Sequence, residues 1–174
     1  MHKWIPVSTS PKGRLALAAV KAFGTRPFDE VTVAELAAMA QVTTGALYHH
    51  FGNKLGLYSF VREDVERRLL DRMEGAVAAA GPESDRSAAV TSALLVGLDF
   101  AVREGFLRIL GDDPPAGSER DALAEMLSVS VAQPAPVLGR VLAAAWRAAL
   151  TAIADGAEPA QARAAIAALR LQLP

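Results

Sequence analysis

The chain of 174 residues is long enough for one or two domains with a buried core, and 52% of its residues are hydrophobic. It contains no cysteine, which excludes a disulfide framework and thiolate chemistry. No apolar run approaches the roughly 20 residues that a membrane span needs, so we expect no membrane segment and a cytoplasmic protein.

The net charge of −1 hides an uneven distribution of charge along the chain. Residues 1–54 hold six Lys or Arg residues against three acids, a net charge of +3, and residues 55–174 hold twelve against sixteen, a net charge of −4. A basic head on an acidic body is expected of a phosphate-binding domain attached to a body that does not bind nucleic acid. The excess is small, so it supports this interpretation without establishing it.

The first predicted helix begins at Pro11 and ends near Gly24. Proline suits the first turn of a helix, which Ser10 would cap, and apolar residues recur at helical spacing up to Phe23. Gly24 interrupts the pattern, and residues 25–31 form the connection to the next helix.

Two short helices joined by a tight turn are predicted between residues 32 and 51. Thr32 and Glu35 form a T-x-x-E capping box at the start of the first. The apolar pattern stops at Gln41 and starts again behind Thr43, a residue type favoured at helix N-termini. This arrangement is a helix-turn-helix, whose second helix enters the major groove of DNA with its N-terminal end.

The two sides of the second helix differ in chemical character. Leu47 and Phe51, four residues apart, lie on one side and pack on the first helix, where the small Ala37 allows the backbones to approach. Tyr48, His49 and the two threonines are left on the other side. The polar side is therefore the one predicted to face DNA.

This region resembles the DNA-binding domain of TetR-family transcriptional repressors over about residues 10–58. The matching pieces, in order, are an Ala-rich helix ending in Phe23, then Gly24, Phe28, TVAELA at 32–37, VTTGALYHHF at 42–51 and Lys54. The resemblance implies an all-α protein, with a three-helix DNA-binding domain at residues 1–54 and a helical effector-binding and dimerisation domain at residues 55–174. It covers under a third of the chain.

Two positions depart from the pattern of that family. Glycine is usual in the turn, where this chain has Gln41; if the turn needs a positive φ, a residue other than glycine carries strain on the order of 1 kcal/mol there. The acidic residues that usually follow the lysine are replaced by Leu55 and Gly56.

Six further helices are predicted after the helix-turn-helix, which makes about nine in all and no strand. Asn53 is the expected N-cap of a long helix over about residues 54–80, whose acids and arginines pair at i,i+4 and form a solvated face. Ser84 and Ser118, the latter followed by Asp121, are the expected starts of two later helices. Glycine and proline clusters place these later helices at about residues 84–104, 106–110, 118–132, 137–155 and 159–171.

The predicted DNA contacts are Thr32, Thr43, Thr44, Gly45, Tyr48, His49 and Lys54. The start of the second helix brings its polar residues within reach of base edges. The resemblance implies that Tyr48 and Lys54 hold phosphates, so loss of Lys54 should weaken binding at all sequences and flatten the salt dependence by roughly one. The alternative for Tyr48 and His49 is that they only fill the surface.

Dimerisation is expected because a recognition helix this short contacts few base pairs, so specificity needs two half-sites and a two-fold dimer that binds a palindromic operator. The resemblance implies that the last two helices of each subunit form a four-helix bundle. The alternative is that their apolar faces pack on their own subunit. The predicted interface residues are Val137, Leu138, Val141, Leu142, Ala145, Ala149, Ala162, Ile166 and Leu169.

An effector cavity among the middle helices is implied by the resemblance alone, with an unknown small molecule as its ligand. Asp99 interrupts an apolar stripe, so it either faces a ligand or buried arginine, or lies at the edge of the stripe and pairs with Arg103. The predicted pocket residues are Leu95, Leu98, Asp99, Phe106, Met126 and Trp146.

Rival functions have weaker support. The E-x-x-H motif of helical metal sites, a Ser-His-Asp arrangement and a phosphate loop are all absent, so neither an enzyme nor a cofactor is predicted. The adjacent His49 and His50 point about 100° apart on a helix and do not chelate one ion, so no metal site is predicted. The alternative function is a helical interaction module that has kept the fold and lost DNA binding.

Overall fold

The computed structural model describes residues 9–81, 85–113, 121–131 and 135–169. Within these ranges the protein is all-α, as predicted, with nine α-helices, a short 3-10 helix at Phe28–Glu30 and no strand. The α-helices are α1 Pro11–Thr25, α2 Val33–Met39, α3 Thr44–Phe51, α4 Lys54–Ala80, α5 Arg86–Glu104, α6 Leu107–Gly111, α7 Ala122–Ser130, α8 Pro136–Ala154 and α9 Pro159–Ala167.

Capping side chains define the starts of the first helices as the sequence predicts. The Gly13 N–H donates to Ser10 Oγ at 3.0 Å, and the Gly56 N–H donates to Asn53 Oδ1 at 2.7 Å. These bonds satisfy backbone donors that have no partner within the helix. At the other end of α5, Gly105 adopts a left-handed conformation with φ +72°, which stops the helix.

Two predicted helix starts are displaced along the chain. Helix α5 follows Asp85, whose carboxylate accepts from the Ser87 N–H, and α7 follows Asp121, which accepts from the Ala124 N–H. Both aspartates form N-caps, a position where aspartate is as favourable as serine. The earlier candidates Ser84 and Ser118 lie outside the described residues.

A single hydrophobic core connects the described helices from α1 to α9. Helix α4 begins beside the helix-turn-helix and packs along α5, so its amino-terminal and carboxy-terminal parts contact different groups of helices. The close approach of α1 to the α5–α6 turn depends on Gly24, because a Cβ there would lie 2.3 Å from the Gly105 carbonyl oxygen. The predicted domain boundary at residues 54 and 55 falls at the start of α4 and stays a prediction.

Charged groups are buried along α4, where the sequence predicted a solvated face. Arg62 donates to the Tyr58 hydroxyl at 2.9 Å and to the Asp112 carbonyl oxygen at 2.8 Å. Asp64 is only 3% exposed; its Oδ1 accepts from Arg67, and its Oδ2 has no hydrogen-bond partner among the described residues. The prediction of a solvated face is therefore wrong for Asp64, because Arg62 and Asp64 fall on the side of α4 that the core covers.

Burial raises the pKa of Asp64 to about 6, although the nearby Arg67 and Arg68 oppose the shift. The folded state therefore binds this proton more tightly than the unfolded state. The contribution of protonated Asp64 to the free energy of unfolding is fully present below about pH 4 and is lost as the pH rises through about 6. Asp64→Asn should raise the free energy of unfolding at pH 7 by roughly 2–3 kcal/mol. Urea unfolding from pH 4 to pH 7 checks this, since the gain should disappear at the lower pH. The exposed Asp71 provides the control variant Asp71→Asn, and an equal gain at both pH values would contradict the assignment.

Helix α8 has the composition of a strongly apolar helix. In the described part of the chain, it is the one helix whose length and composition would let it cross a membrane, with a mean hydropathy of 1.4 over 18 residues. Arg140 and Arg147 interrupt its apolar sequence, so α8 contains no continuous apolar run of the length that a membrane span needs. Only 39% of these 18 residues are buried within the subunit, so much of the apolar surface of α8 is exposed.

Candidate nucleic-acid interface

Helices α2 and α3 form the predicted helix-turn-helix. Thr32 caps α2 by accepting from the Glu35 N–H, and Thr43 caps α3 by accepting from the Ala46 N–H, both at 3.2 Å. Between the helices, the Val42 N–H donates to the Ala37 carbonyl oxygen at 3.0 Å. This bond holds the turn against α2, and the buried Ala37 is small enough to allow the contact.

Glu35 completes the cap at the start of α2. Its carboxylate forms an ion pair with Arg26, which lowers its pKa below the usual range, and the backbone N–H of Thr32 contributes in the same direction. One half of the capping box that the sequence predicts, the bond from the Glu35 N–H to the Thr32 hydroxyl, is therefore present. Arg26 ties it to the end of α1.

The turn contains Gln41 in a left-handed conformation, with φ +53°. Among the described residues, it is the only one other than glycine with a positive φ. A side chain in this region costs about 1 kcal/mol because Cβ approaches the following carbonyl oxygen. The turn therefore has the positive φ under which strain was expected at Gln41, and the strain itself stays a prediction.

Gln41→Gly should increase the free energy of unfolding by about 1 kcal/mol, since glycine adopts this conformation without the Cβ contact. For a chain of this size the midpoint of thermal unfolding should rise by roughly 2–4 °C. Gln41→Ala is the control, because it removes the polar side chain and keeps Cβ. Equal melting temperatures for the alanine and glycine variants would show that the backbone is not strained.

The first turns of α3 present a polar surface to solvent. Leu47 is fully buried against the core, whereas Tyr48 is 53% exposed and His49 lies beside it at the surface. Thr32 is exposed at the start of α2. The exposed positions at the start and on the outer side of α3 are Thr43, Thr44, Gly45, Tyr48 and His49.

Gly45 is not required by packing within the protein. A Cβ at this position would meet only Thr43 Oγ1, at an ordinary contact distance of 3.7 Å. Glycine in a helix is about 0.5–1 kcal/mol less stable than alanine. The exposed start of α3 therefore has a glycine that the fold alone does not explain.

The cations near this surface are largely engaged within the protein. Arg14 donates to the Ala40 carbonyl oxygen at 2.9 Å, and Lys12 Nζ lies 4.9 Å from the ring centroid of Phe60. Lys54 Nζ donates to the carbonyl oxygens of Phe28 and Val31, each at 3.0 Å. The basic character of residues 1–54 is therefore not displayed as a simple patch of free lysines and arginines.

The predicted pocket residues lie in two different kinds of surroundings. Trp146 is a satisfied core residue, because its indole N–H donates to the Leu94 carbonyl oxygen at 3.0 Å. Leu98, Phe106 and Met126 are also buried in the core. The prediction that these four residues line a pocket with Leu95 and Asp99 stays a prediction.

Leu95 and Asp99 instead line an open groove of about 540 Å³ between α5 and α9. Asp99 is exposed and forms an ion pair with Arg163 of α9. Arg103 pairs with its neighbour Glu104. The carboxylate thus lies at the edge of the apolar stripe, as predicted, but its partner comes from a helix distant in sequence.

The predicted dimer residues fall into three groups. Leu142, Ala162 and Ile166 are buried inside the subunit, so their assignment to the interface is corrected. Leu138, Ala145, Ala149 and Leu169 are half-buried. Val137 and Val141 are exposed, by 64% and 57%, on the outer side of α8. The neighbouring Ala144, Ala148 and Ala152, which were not among the predicted residues, are exposed at helical spacing with these valines.

Acidic and histidine side chains do not assemble into a metal site in the described ranges. No group of three or more His, Cys, Asp or Glu residues lies close enough there to hold an ion. His49 and His50 have ring centroids 5.0 Å apart with tilted planes.

Comparison with known proteins places these features in a family context. Residues 16–59 match the family described as bacterial regulatory proteins, tetR family. A TetR-family transcriptional regulator from Pectobacterium atrosepticum is 26% identical, with a TM-score of 0.63, and the match covers 89% of this chain and 88% of that one. No curated protein matches the chain in sequence.

Two more distant structures are also similar. The TetR-family repressor AlkX from a Dietzia strain, implicated in the biodegradation of n-alkanes, is 16% identical over 88% of this chain and 92% of its own, with a TM-score of 0.46. A TetR-family regulator from Streptomyces coelicolor is 18% identical over 92% of both chains, with a TM-score of 0.46.

Proposed function

We propose that the chain, a TetR-family DNA-binding transcriptional regulator, is a cytoplasmic homodimeric repressor. In this proposal the dimer binds a palindromic operator and releases it when a small-molecule effector binds. The observation that carries this proposal is the exposed polar start of α3, held by a helix-turn-helix whose two helices are both capped by threonine side chains. Such a helix end matches the width of the major groove.

Base contacts are assigned to the exposed start of α3. The hydroxyls of Thr43 and Thr44 can donate to or accept from base edges, although Thr43 Oγ1 already accepts from the Ala46 N–H. Gly45 allows the helix backbone to approach the duplex, which explains a glycine that packing does not need. Thr44 is therefore the residue expected to set sequence preference.

Phosphate contacts are assigned to groups around this point. Tyr48 and His49 flank the start of α3 on its exposed side, and Thr32 stands at the start of α2. Backbone N–H groups at helix N-termini bind phosphate oxygens and need no lysine. This arrangement suits a surface whose cations are mostly engaged within the domain.

Dimerisation is assigned to the outer side of α8 together with α9. Val137 and Val141 continue into the exposed alanines at 144, 148 and 152, and small residues allow two helices to approach closely. Exposed large apolar residues in one strip mark an interaction surface. A two-fold axis through this strip would bury it against its own copy.

Effector binding is proposed for the body of the protein, at the groove between α5 and α9. The groove combines the ion pair of Asp99 and Arg163 with apolar Leu95 and Leu169 and the hydroxyl group of Thr91. This combination suits a small ligand with one polar end. The long helix α4 would carry the resulting shift to the helix-turn-helix, a coupling typically worth roughly 1–3 kcal/mol.

Binding of variants to DNA upstream of the protein's own coding region tests the assignment of base and phosphate contacts. Thr44→Ala should change the preferred sequence, while Tyr48→Ala should weaken binding at all sequences by about tenfold, equivalent to roughly 1.4 kcal/mol. Glu74→Ala on the exposed side of α4 is the control and should bind as wild type. Unchanged affinity and preference in both variants would remove α3 from the interface.

A further inference from the structure

Lys54 lies at the first position of α4, and its ammonium group turns back to the segment that precedes α2. Nζ donates to the carbonyl oxygens of Phe28 and Val31, each at 3.0 Å. Val31 is followed by Thr32, the N-cap of α2. The lysine therefore fixes the backbone at the point where the helix-turn-helix begins.

A cluster of aromatic rings packs beside the Lys54 ammonium group. Lys54 Nζ lies 4.0 Å from the ring centroid of Phe28, a distance at which the ring attracts a cation. The Phe28 ring packs against Phe23 at 5.8 Å and Tyr58 at 5.1 Å between centroids. Phe23 and Tyr58 are buried, so the Phe28 ring that contacts the lysine packs directly against the core.

The same cluster is joined to the body of the protein. Arg62 donates to the hydroxyl of Tyr58 and to the carbonyl oxygen of Asp112, the residue that ends α6. A continuous chain of contacts therefore starts at the Val31 carbonyl oxygen, just before α2, and ends at α6. It passes in order through Lys54, Phe28, Tyr58 and Arg62. Charge-assisted hydrogen bonds of this kind are stronger than neutral ones and fix geometry.

We infer that Lys54 is a positioning residue for the helix-turn-helix, which holds the start of α2 on α4, and that it is not a phosphate contact. This inference rests on the proposed operator binding for its effect on DNA, but its structural part does not. An ammonium group held by two carbonyl oxygens and a ring acts on DNA through the position of α2 and α3. Its loss should change affinity without changing the number of phosphates that the protein neutralises.

The experiment compares wild type, Lys54→Met and Lys21→Met by operator affinity over about 50–200 mM salt. Lys21 is the matched control because it is an exposed lysine of the same domain. We expect Lys54→Met to bind about tenfold more weakly, with the slope of log affinity against log salt unchanged. A slope that flattens by roughly one would identify a lost phosphate contact and overturn the inference.

A second measurement, amide hydrogen exchange without DNA, separates this inference from the proposed function. The N–H groups of Val31 and Leu36 are hydrogen-bonded to the carbonyl oxygens of Phe28 and Thr32. Their exchange should become at least about fivefold faster in Lys54→Met and stay unchanged in Lys21→Met, as expected of local opening. Unchanged exchange in Lys54→Met would overturn the inference even if operator binding is confirmed.

Lys54→Gln keeps the measurement available if the methionine variant folds poorly, because its amide retains hydrogen-bond donors and removes the charge. Its exchange should lie between those of wild type and Lys54→Met. Protection equal to that of wild type, with a flatter salt slope, would again favour a phosphate contact. Failure of all proteins to bind the operator would count against the proposed function and leave the exchange result to decide the role of Lys54.

Discussion

Val141→Asp is expected to convert the protein from a dimer to a monomer and to weaken operator binding by about 100-fold or more. Val141 is 57% exposed at the middle of an apolar strip on α8, between Val137 and Ala144. In a two-fold interface both subunits carry the substitution, so two carboxylates are buried without partners. This costs several kcal/mol of dimerisation free energy. Sedimentation equilibrium measures the assembly, and a binding titration measures the affinity.

Val96→Asp is the matched control for this prediction. Val96 is also an exposed valine in a helix, but it lies on α5 beside the groove and outside the strip. It should remain dimeric and retain operator affinity. A dimer that persists in Val141→Asp would place the interface elsewhere on the subunit.

Gly24→Ala is expected to lower the free energy of unfolding by about 2–3 kcal/mol and the thermal midpoint by roughly 4–10 °C. The added Cβ would stand 2.3 Å from the Gly105 carbonyl oxygen. This oxygen belongs to the backbone, and the left-handed conformation of Gly105 ends α5, so little local adjustment is available. Relief therefore requires α1 to separate from the turn between α5 and α6.

Gly75→Ala tests whether the loss comes from this contact or from glycine replacement in general. Gly75 lies in the interior of α4 and is exposed, and a Cβ added there would meet no atom of the described residues within 4 Å, the backbone of its own helix aside. Alanine should stabilise that helix by about 0.5–1 kcal/mol. Similar thermal midpoints for Gly24→Ala and wild type would mean that the α1 contact with the body is loose.

Local signals in the sequence were sufficient for most of the helical architecture. Ser10, Asn53 and Gly105 act at helix ends through bonds and backbone conformations that involve only nearby residues, so their roles follow from residue type and position. The possibility of a positive φ at Gln41 came from the family resemblance, in which glycine is usual at this turn position. Asp85 and Asp121 were missed as caps because serines nearby offered equivalent capping chemistry.

Tertiary contacts decided what the sequence left open. Helix α8 is apolar on most sides, so periodicity alone did not show that Leu142 faces inward and Ala148 faces outward. Asp99 found its partner Arg163 on a helix 64 residues away. The role of Lys54 was taken from the family resemblance and that of Asp64 from its neighbours along α4. Their environments in the structure come from Phe28, Val31 and the core around α4.

The most direct test of binding to DNA as a two-fold dimer is footprinting of the DNA upstream of the protein's own coding region. The number of bound chains is measured on the same fragment. The account predicts two protected half-sites related by a two-fold axis, with centres about one helical turn, roughly 10 base pairs, or a multiple of it apart, and two chains bound together. Protection without sequence preference, or occupancy by a single chain, would contradict it.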